Sequence, residues 1–462
     1  MFSPEKIDFI EQQENQRLYQ NTYHFNDDDT DTRTNENPVQ VNTNAVADLE
    51  RLLTKSTQPF STMAITSVKE LFFEVGIENV TNEQVQYLFN RLPRIEHLEY
   101  HQSTFELFSF LCNEAEFAKK LYDSQILESI NFASFEIVQD ETKTFISDMI
   151  NKIVNEVPES LTGLFIDKFF PYFYNFIIDQ NFYRSDGLDA HLLLASKFLP
   201  ELEDEKQIRN IFSRFTLFVE HTRHDVIHAS LQGLLLAIRS FDWILNDQSF
   251  SEEKFINRLH FLGMHQIEQT GVLVLVLFEH ILKNNDIELP LLIYTKIYTT
   301  LRVYLSLTNI EMRNEAIILL GFAFSNQYFR IAITTETEDG ELFVHRLMET
   351  FLTKFDSFKL KEKKSSVYAF ANFLGYMPID IITAYINLPI FFNEILQILE
   401  FDDPEIILPL LYGLYTPLNG GNMIINSDEN KDMIINALKA LAQSDDEKLS
   451  QSAIIVSKAL SQ

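Results

Sequence analysis

Helical periodicity constrains this chain more than any other feature of its sequence. From about residue 60 onward, apolar residues recur every three or four positions in segments of about 10 to 20 residues, separated by short polar connections. The strict alternation that marks half-buried strands does not recur. With 12 glycines and 13 prolines in 462 residues, the chain is also poor in the turn residues that sandwiches, propellers and glycine-rich phosphate loops require. The sequence therefore predicts an all-α fold.

The charge balance narrows the classes of partner. The chain has 37 basic and 67 acidic side chains, a formal net charge of −30, and 46% hydrophobic residues. That hydrophobic content is typical of a folded globular chain, whereas the excess of carboxylates disfavours nucleic acid, whose phosphates require a basic surface. We expect protein or peptide partners with basic or positively flanked segments, and no nucleic acid.

The sequence shows no targeting or membrane signal. Residues 1–20 lack the basic and apolar regions of a secretory signal and are too acidic for a mitochondrial presequence. The apolar run 271–278 is far shorter than the roughly 18 residues that cross a bilayer. The single cysteine, Cys112, excludes a disulfide framework within the chain and lies in an apolar segment where we expect it to be buried. We expect a cytoplasmic and/or nuclear protein without membrane insertion.

The chain divides into two regions of different texture. Residues 1–60 contain eleven acidic and five basic side chains, with few strongly apolar residues between 20 and 44. We predict that they form an acidic, largely disordered N-terminal arm, because they cannot bury enough apolar surface to offset their ordering entropy. Residues 61–462 show unbroken helical texture and no linker. A single core of that size usually splits into domains, so a continuous helical-repeat solenoid is favoured.

Helical segments of similar texture recur at a regular interval. Five candidate tightly packed helices begin 44, 51, 40 and 44 residues apart, near Thr270, Asn314, Ser365, Glu405 and Leu449. An interval of about 45 residues is typical of helical solenoids. We predict a right-handed α-solenoid of about nine stacked helix pairs or triplets.

Three helix starts carry cap chemistry. Ser444 and Glu447 have the spacing of a capping box, as do Thr81 and Gln84. Asp403 precedes a proline, the combination that often opens a helix.

The segments from about residue 265 to 462 resemble armadillo-type repeats. Residues 314–324 (NEAIILLGFAF), 366–374 (SVYAFANFL) and the more degenerate 452–460 (SAIIVSKAL) are similar to the third helix of that repeat, in which small and apolar residues surround a short Leu-x-Asn-Leu core. Over 61–264 only the helical texture is similar. The resemblance implies an armadillo-like superhelix that binds partners along its concave face.

One pair of residues has the spacing of a peptide-binding site in that family. In its peptide-binding members, an aromatic residue and an asparagine four positions later lie on the concave face, where the asparagine amide binds the backbone of an extended ligand. The resemblance implies this role for Tyr368 and Asn372, which share a helical face. Two residues on an ordinary helix surface are the competing interpretation, because Gly321 or Lys458 replaces the asparagine in the other copies.

The densest cluster of ionisable groups offers an alternative. His221, His224, Asp225 and His228 would share one helical face, and two histidines at i and i+4 can bind a metal ion. With His191 upstream, the spacing is faintly similar to that of helical metal-dependent phosphohydrolases, in which the metal acidifies a water molecule. A polar helix start with partly solvated histidines is the competing interpretation.

Signatures of other enzymes are missing from the sequence, among them the nucleophile elbow, the phosphate-binding loop and the dinucleotide fingerprint. The sequence therefore predicts a non-enzymatic protein–protein interaction scaffold or adaptor, without a cofactor, that binds extended basic segments along a concave helical surface. The alternatives are the metal-dependent phosphohydrolase and, within the binding class, a divergent nuclear-transport-like adaptor.

Overall fold

The computed structural model describes residues 43–55, 62–75, 81, 84, 87, 88, 102–124, 126–185, 187–264, 268–283, 289–335, 341–400, 403–419 and 424–461. Within these ranges the regular secondary structure is helical, as the sequence predicts. The main α-helices are α1 (Thr43–Lys55), α2 (Thr62–Val75), α3 (Gln102–Leu111), α4 (Ala115–Asp123), α5 (Asp140–Glu156), α6 (Phe170–Ile178), α7 (Leu188–Phe198), α8 (Glu205–Phe218), α9 (His224–Ser240), α10 (Glu253–Met264), α11 (Glu268–Lys283), α12 (Leu291–Leu305), α13 (Ile310–Ser325), α14 (Gln327–Ile333), α15 (Phe343–Phe355), α16 (Leu360–Tyr376), α17 (Ile379–Ile386), α18 (Pro389–Leu399), α19 (Pro404–Asn419), α20 (Asp428–Leu441) and α21 (Glu447–Ser461).

Shorter helical turns interrupt the regular pattern. Leu161–Phe165 is a π-helical turn, and Ile166–Lys168 is a three-residue helical turn. The 3-10 turns are Ile126–Ser129, Phe132–Glu136, Phe182–Arg184, Leu199–Glu201, Asp242–Asn246 and Gln248–Ser251. No helix of the described residues is both long and apolar enough to cross a membrane alone. In two sharply bent pairs, α13 with α14 and α17 with α18, the two helices together reach the length and apolar composition of a membrane span.

Nine helices stack side by side in one row, termed the ladder, within the part of the chain that the structure describes. Its members are α3, α5, α7, α9, α11, α13, α16, α19 and α21, and each packs against the next. Their first residues run from Gln102 to Glu447 in eight steps of about 43 residues. The predicted interval is confirmed, and the five predicted starts lie within five residues of those of α11, α13, α16, α19 and α21.

A second layer of helices covers one side of the ladder. Among its members, α8 packs on α9, α10 on α11, α12 on α13 and α20 on α21. Aromatic rings fill the space between the layers: the ring of Phe370 in α16 lies 5.4 Å from that of Phe351 and 5.5 Å from that of Phe355, both in α15. These rings bury much of the apolar stripe that each helix carries.

Small residues let the ladder helices approach closely. A methyl group built on Gly413 of α19 would overlap the carbonyl oxygen of Ala371 in α16 and lie 2.8 Å from its Cα atom, and one built on Gly375 of α16 would lie 3.8 Å from the Cα atom of Gly413. Because only a residue without a side chain fits there, the backbones of α16 and α19 are in direct contact.

Asparagine side chains join neighbouring repeats of the ladder. Each donates its amide N–H to a backbone carbonyl oxygen 39 to 51 residues away, about one repeat in the chain. These hydrogen bonds, termed the amide clamps, are Asn151 to Ala190 (2.8 Å), Asn326 to Leu282 (2.9 Å) and Asn372 to Gly321 (2.8 Å). They satisfy carbonyl groups that would otherwise lose water as the helices pack.

The helical region begins earlier than the sequence analysis places it. α1 lies inside the predicted N-terminal arm, 1–60, and buries Ala45, Leu49 and Leu53. These three residues occur every four positions and form an apolar helical stripe, and the division into an arm and a solenoid stays a prediction. Residues 1–42, the greater part of the arm, lie outside the described residues.

Two of the three predicted caps are confirmed. Thr81 and Gln84 exchange backbone-to-side-chain hydrogen bonds of 2.9 and 3.2 Å, and Asp403 accepts from the second helical amide of α19 at 3.1 Å. The prediction for Ser444 is wrong, because α21 begins later and Asp446 accepts from its third helical amide at 2.8 Å. Ser444 instead accepts from the amide of Asp446.

Candidate binding surface

The ladder helices leave one narrow stripe of side chains partly exposed. Its residues recur at intervals of three or four and so lie on one face of each helix, the ladder face. The half-buried members in five successive helices are His228, Gln232, Leu236 and Arg239 in α9; Val272, Val276, His280 and Lys283 in α11; Ile318 and Phe322 in α13; Tyr368 and Asn372 in α16; and Leu408 and Tyr412 in α19.

Side-chain contacts link these stripes across helices. Arg239 Nε donates to His280 Nε2 at 2.9 Å, and Lys283 Nζ lies 4.7 Å from the centroid of the Phe322 ring. Burial, reinforced by the Arg239 charge, lowers the pKa of His280 to about 3. The imidazole is therefore neutral at physiological pH and can accept this hydrogen bond.

The structure places Tyr368 and Asn372 on the ladder face, on either side of Gly321. Asn372 Nδ2 donates to the carbonyl oxygen of Gly321, and Tyr368 Cβ would lie 3.5 Å from a methyl group at that glycine. One amide hydrogen of Asn372 thus holds α13 against α16. The ligand-binding role that the resemblance implies for the pair stays a prediction.

The carboxylate of the predicted metal cluster is held by an arginine. Arg223 Nη2 donates to Asp225 at 2.5 Å and to Asp189 at 3.0 Å. The hydrogen bond from Arg223 holds the pKa of Asp225 below its usual range. His221 Nδ1, in turn, accepts from the amide of Arg223 at 3.1 Å. These contacts form a polar network at the start of α9.

The histidines of the cluster do not converge either. His224 is exposed, whereas His228 is half-buried with its Nε2 atom 3.0 Å from the amide nitrogen of Gln232. Burial lowers the pKa of His228. In the described ranges no group of three or more histidine, cysteine, aspartate or glutamate side chains could hold a metal ion. The metal-dependent phosphohydrolase therefore has no ligand set among them.

Two further candidate residues are enclosed in the core. His191 is fully buried, and its ring nitrogens lie 2.9 Å from Ser147 Oγ and 3.2 Å from Ser185 Oγ. Burial lowers the pKa of His191 to about 3 and raises that of the Cys112 thiol to about 12. Cys112 is therefore a buried thiol, as predicted, and His191 a neutral hydrogen-bonding group.

A buried ion pair between α13 and α16 was not found by sequence reasoning. Arg313 Nε donates to Glu362 Oε1 at 2.5 Å, and the other carboxylate oxygen accepts from the amide of Lys359 at 2.7 Å. Arg313 Nη1 also donates to the carbonyl oxygen of Leu307 at 2.8 Å. The two charged residues lie 49 positions apart, so only knowledge of the repeat interval could have paired them.

Comparisons with known proteins place this arrangement among solved structures. No protein-family model matches the sequence, and no curated protein matches it. A designed armadillo repeat protein matches 58% of this chain and 99% of its own, with 14% identity and a TM-score of 0.35. The structure from work on a phosphorylation switch that controls the interaction between cadherin and beta-catenin matches 90% of this chain and 86% of its own, with 12% identity and a TM-score of 0.63. The fold is an armadillo-type α-solenoid.

An engineered protein supports the same conclusion over its whole length. It matches 90% of this chain and 99% of its own, with 12% identity and a TM-score of 0.59. The sequence resemblance is strongest over residues 265–462, but the armadillo-type solenoid also includes many residues before 265.

Proposed function

We propose that this armadillo-type solenoid is a non-enzymatic scaffold that binds an extended protein segment along the ladder face. The observation that carries the proposal is continuity: half-buried side chains recur on one face of five successive ladder helices, and side-chain contacts join that face from α9 to α16. Helices packed about 10 Å apart make that surface on the order of 40 Å long. An extended segment of about 12 residues would cross it, at about 3.3 Å per residue.

The shape of the stack favours the ladder face as the concave side. Glycine brings α16 and α19 into backbone contact in the ladder. In the second layer, the neighbouring helices α15 and α18 are instead separated by the short helix α17, whose Tyr385 contacts both. A stack whose helices lie closer together on one side curves towards that side. A concave face can contact an extended segment from three directions.

Charge supports a basic partner. The chain has a formal net charge of −30, and the exposed Glu311 and Glu405 lie in the first turns of the ladder helices α13 and α19. A long-range negative potential attracts positively charged segments and speeds their association, an effect that salt screens. The similar structure described above comes from work on the interaction between cadherin and beta-catenin, and this supports a protein-binding function for the present chain.

Two phenylalanines provide a matched test. Phe322 lies on the ladder face beneath Lys283, and Phe261 lies on α10 of the second layer beneath Arg258, with the cation 4.7 and 5.3 Å from the ring centroid. Tagged wild-type protein and the variants Phe322→Ala and Phe261→Ala would be purified from their own cells at low and moderate salt. We expect Phe322→Ala to lose partners that Phe261→Ala retains, and salt to weaken their capture. Equal partner sets for both variants would contradict the proposal.

Asn372→Ala tests the amide separately. Because Asn372 also clamps Gly321, its replacement must be followed by both partner capture and thermal unfolding. Loss of partners beyond that of a variant that removes another single amide clamp, such as Asn151→Ala, would assign Asn372 to the binding surface. Parallel losses in the two variants would assign it to the ladder alone.

A further inference from the structure

Four successive ladder helices, α5, α7, α9 and α11, each carry one cation towards the C-terminal end. These cations, termed the cation row, follow one another at intervals of 45, 42 and 44 residues, close to the interval between ladder helices: Lys152, Lys197, Arg239 and Lys283. Cations near helix C-termini complement the partial negative charge there. The helix dipole therefore accounts for the position of the row, but not for differences in pairing among its members.

Contacts between helices place the whole row on the ladder face. Its two later members belong to that face, and both reach the next ladder helix. The two earlier members are half-buried as well and reach the preceding ladder helix. Lys152 Nζ donates to the carbonyl oxygen of Ser109 in α3 at 2.8 Å, and Lys197 Nζ donates to that of Asn151 in α5 at 2.6 Å. The ladder face thus continues from α9 back to α5.

The two outer members of the row are neutralised by carboxylates of their own helices. Lys152 Nζ lies 2.5 Å from Asp148 Oδ2, and Lys283 Nζ lies 3.4 Å from Glu279 Oε1. Each acid precedes its cation by four residues, the spacing that brings two side chains together on one helical face. These two cations already have an anionic partner.

The two inner members have no carboxylate at ion-pair distance among the described residues. Lys197 Nζ donates to neutral acceptors, the Asn151 carbonyl oxygen and Asn155 Oδ1 at 2.5 Å. Arg239 Nε donates to the neutral imidazole of His280. Burial lowers the pKa of Lys197 to about 7 and that of Arg239 to about 10. A half-buried cation that lacks a counter-charge gains free energy when an anion binds beside it.

The other half of the ladder face has a different chemistry. Its half-buried members from α13 to α19 are aliphatic or aromatic apart from Asn372: Ile318, Phe322, Tyr368, Leu408 and Tyr412. Side chains of this kind complement a large apolar side chain rather than a charged one. The two halves of the surface therefore suit different residues of one bound segment.

We propose that Lys197 and Arg239 bind an acidic side chain of the extended partner segment, while a large apolar side chain of the same segment packs on Phe322. This inference rests on the proposed function and fixes where the segment lies along the ladder. α7 and α9 are three and two ladder steps from α13, on the order of 20–30 Å, so the acidic and apolar residues are about six to nine positions apart. The other residues of the segment can be basic, as the net charge of the chain favours.

The test is a peptide selection on the full chain. The probe is a displayed library of random peptides of about 16 residues, long enough at about 3.3 Å per residue to cross the ladder from α7 to α19. Peptides that the parent chain retains and Phe322→Ala does not retain define the ladder-face set. We expect this set to share an aspartate or glutamate about six to nine positions from a large apolar residue.

Substitutions on both sides of the contact identify it. Replacing the shared acid of a selected peptide by its amide should weaken binding to the parent roughly fivefold or more. The same replacement should have little effect on binding to Lys197→Met or Arg239→Met, because the charge it would pair with is gone. Lys197→Arg keeps the charge and should retain the effect. Lys254→Met, which removes a 79% exposed cation from α10 of the second layer, should retain it in full.

The outcomes separate this inference from the proposed function. A ladder-face set without a shared acid would overturn the inference and leave the proposed function in place, and this result does not depend on the folding of the Lys197 or Arg239 variants. An acid whose replacement costs as much affinity in both methionine variants as in the parent would have the same meaning. A library in which no peptide distinguishes Phe322→Ala from the parent would contradict both.

Discussion

Buried polar residues are the points at which this solenoid is most sensitive to single substitutions. Arg313 and Glu362 have side chains only 7% and 0% exposed, yet every contact described for them is charge-assisted. A buried pair of this kind adds little net stability over an apolar pair, but removal of one partner leaves an uncompensated charge. α13 and α16 therefore depend on both residues being present.

We expect Glu362→Ala to lower the free energy of unfolding by about 3–5 kcal/mol, because it strands the Arg313 guanidinium in the core. Glu311→Ala is the control: its pair with Lys361 joins the same two helices at 2.6 Å, but the side chains are 62% and 53% exposed. That substitution should cost less than about 1 kcal/mol. Chemical denaturation measures both, and equal losses would contradict the contrast.

His280 makes stability depend on pH. Its pKa is lowered from 6.5 to about 3 in the folded chain, so the unfolded state binds a proton first as the pH falls. Its contribution is complete above about pH 6.5 and is lost progressively below it, amounting to about 1–2 kcal/mol between pH 7 and pH 5. His280→Gln keeps an acceptor for Arg239 but does not titrate, so the decline in unfolding free energy should become shallower. An equally steep decline in His280→Gln would contradict this expectation.

The ladder helices differ in how closely they pack. α16 and α19 are in backbone contact at Gly413, whereas a methyl group at Gly321 of α13 would have its nearest neighbours at 3.5 Å, an ordinary van der Waals distance. Both glycines lie in helix interiors, where alanine is intrinsically favoured.

The two glycines should respond oppositely to alanine. Gly413→Ala forces α16 and α19 apart and should destabilise the chain by about 2 kcal/mol or more. Gly321→Ala should be neutral or stabilise by up to about 1 kcal/mol, because it gains helix propensity without overlap. Urea titration followed by circular dichroism separates the two outcomes. A similar loss of stability in both variants would mean that α13 and α16 pack as closely as α16 and α19.

Sequence alone predicted the long ladder helices well because their apolar stripes run for three or more turns. It missed α14 and α17, which have seven and eight residues and show too little periodicity. Over residues 126–184 it predicted the solenoid but found only helical texture, because 3-10 and π-helical turns break the 3.6-residue pattern there. The face shared by Tyr368 and Asn372 followed from their spacing, but the clamp to Gly321 depends on a residue 51 positions away.

Across the whole molecule, each repeat packs on its neighbours and on little else. Most ladder helices pack only on the ladder helix before and the ladder helix after them. The free energy of unfolding is therefore approximately a sum of contributions from single repeats and from the interfaces between neighbouring repeats. The single tryptophan, Trp243, lies just after α9 with the Arg209 guanidinium 4.3 Å from its ring, four ladder steps from α19. Its fluorescence therefore reports one region of the stack.

We expect denaturant unfolding not to be two-state, so that circular dichroism and Trp243 fluorescence give different midpoints. Gly413→Ala should lower the circular dichroism midpoint and leave that of Trp243 unchanged. Gly233→Ala in α9, where a methyl group would overlap the Phe215 ring, should instead lower the Trp243 midpoint. Coincident shifts in both signals for both variants would show that the chain unfolds as one cooperative unit.

The amide clamps also bear on how fast such a chain can fold. Each closes a loop of 39 to 51 residues, whether it lies at Asn151, Asn326 or Asn372. Loop-closure entropy grows with the number of residues enclosed and is therefore nearly the same for every clamp. Because these separations do not increase with chain length, relative contact order falls as repeats are added, and gene duplication could lengthen the ladder without slowing its folding.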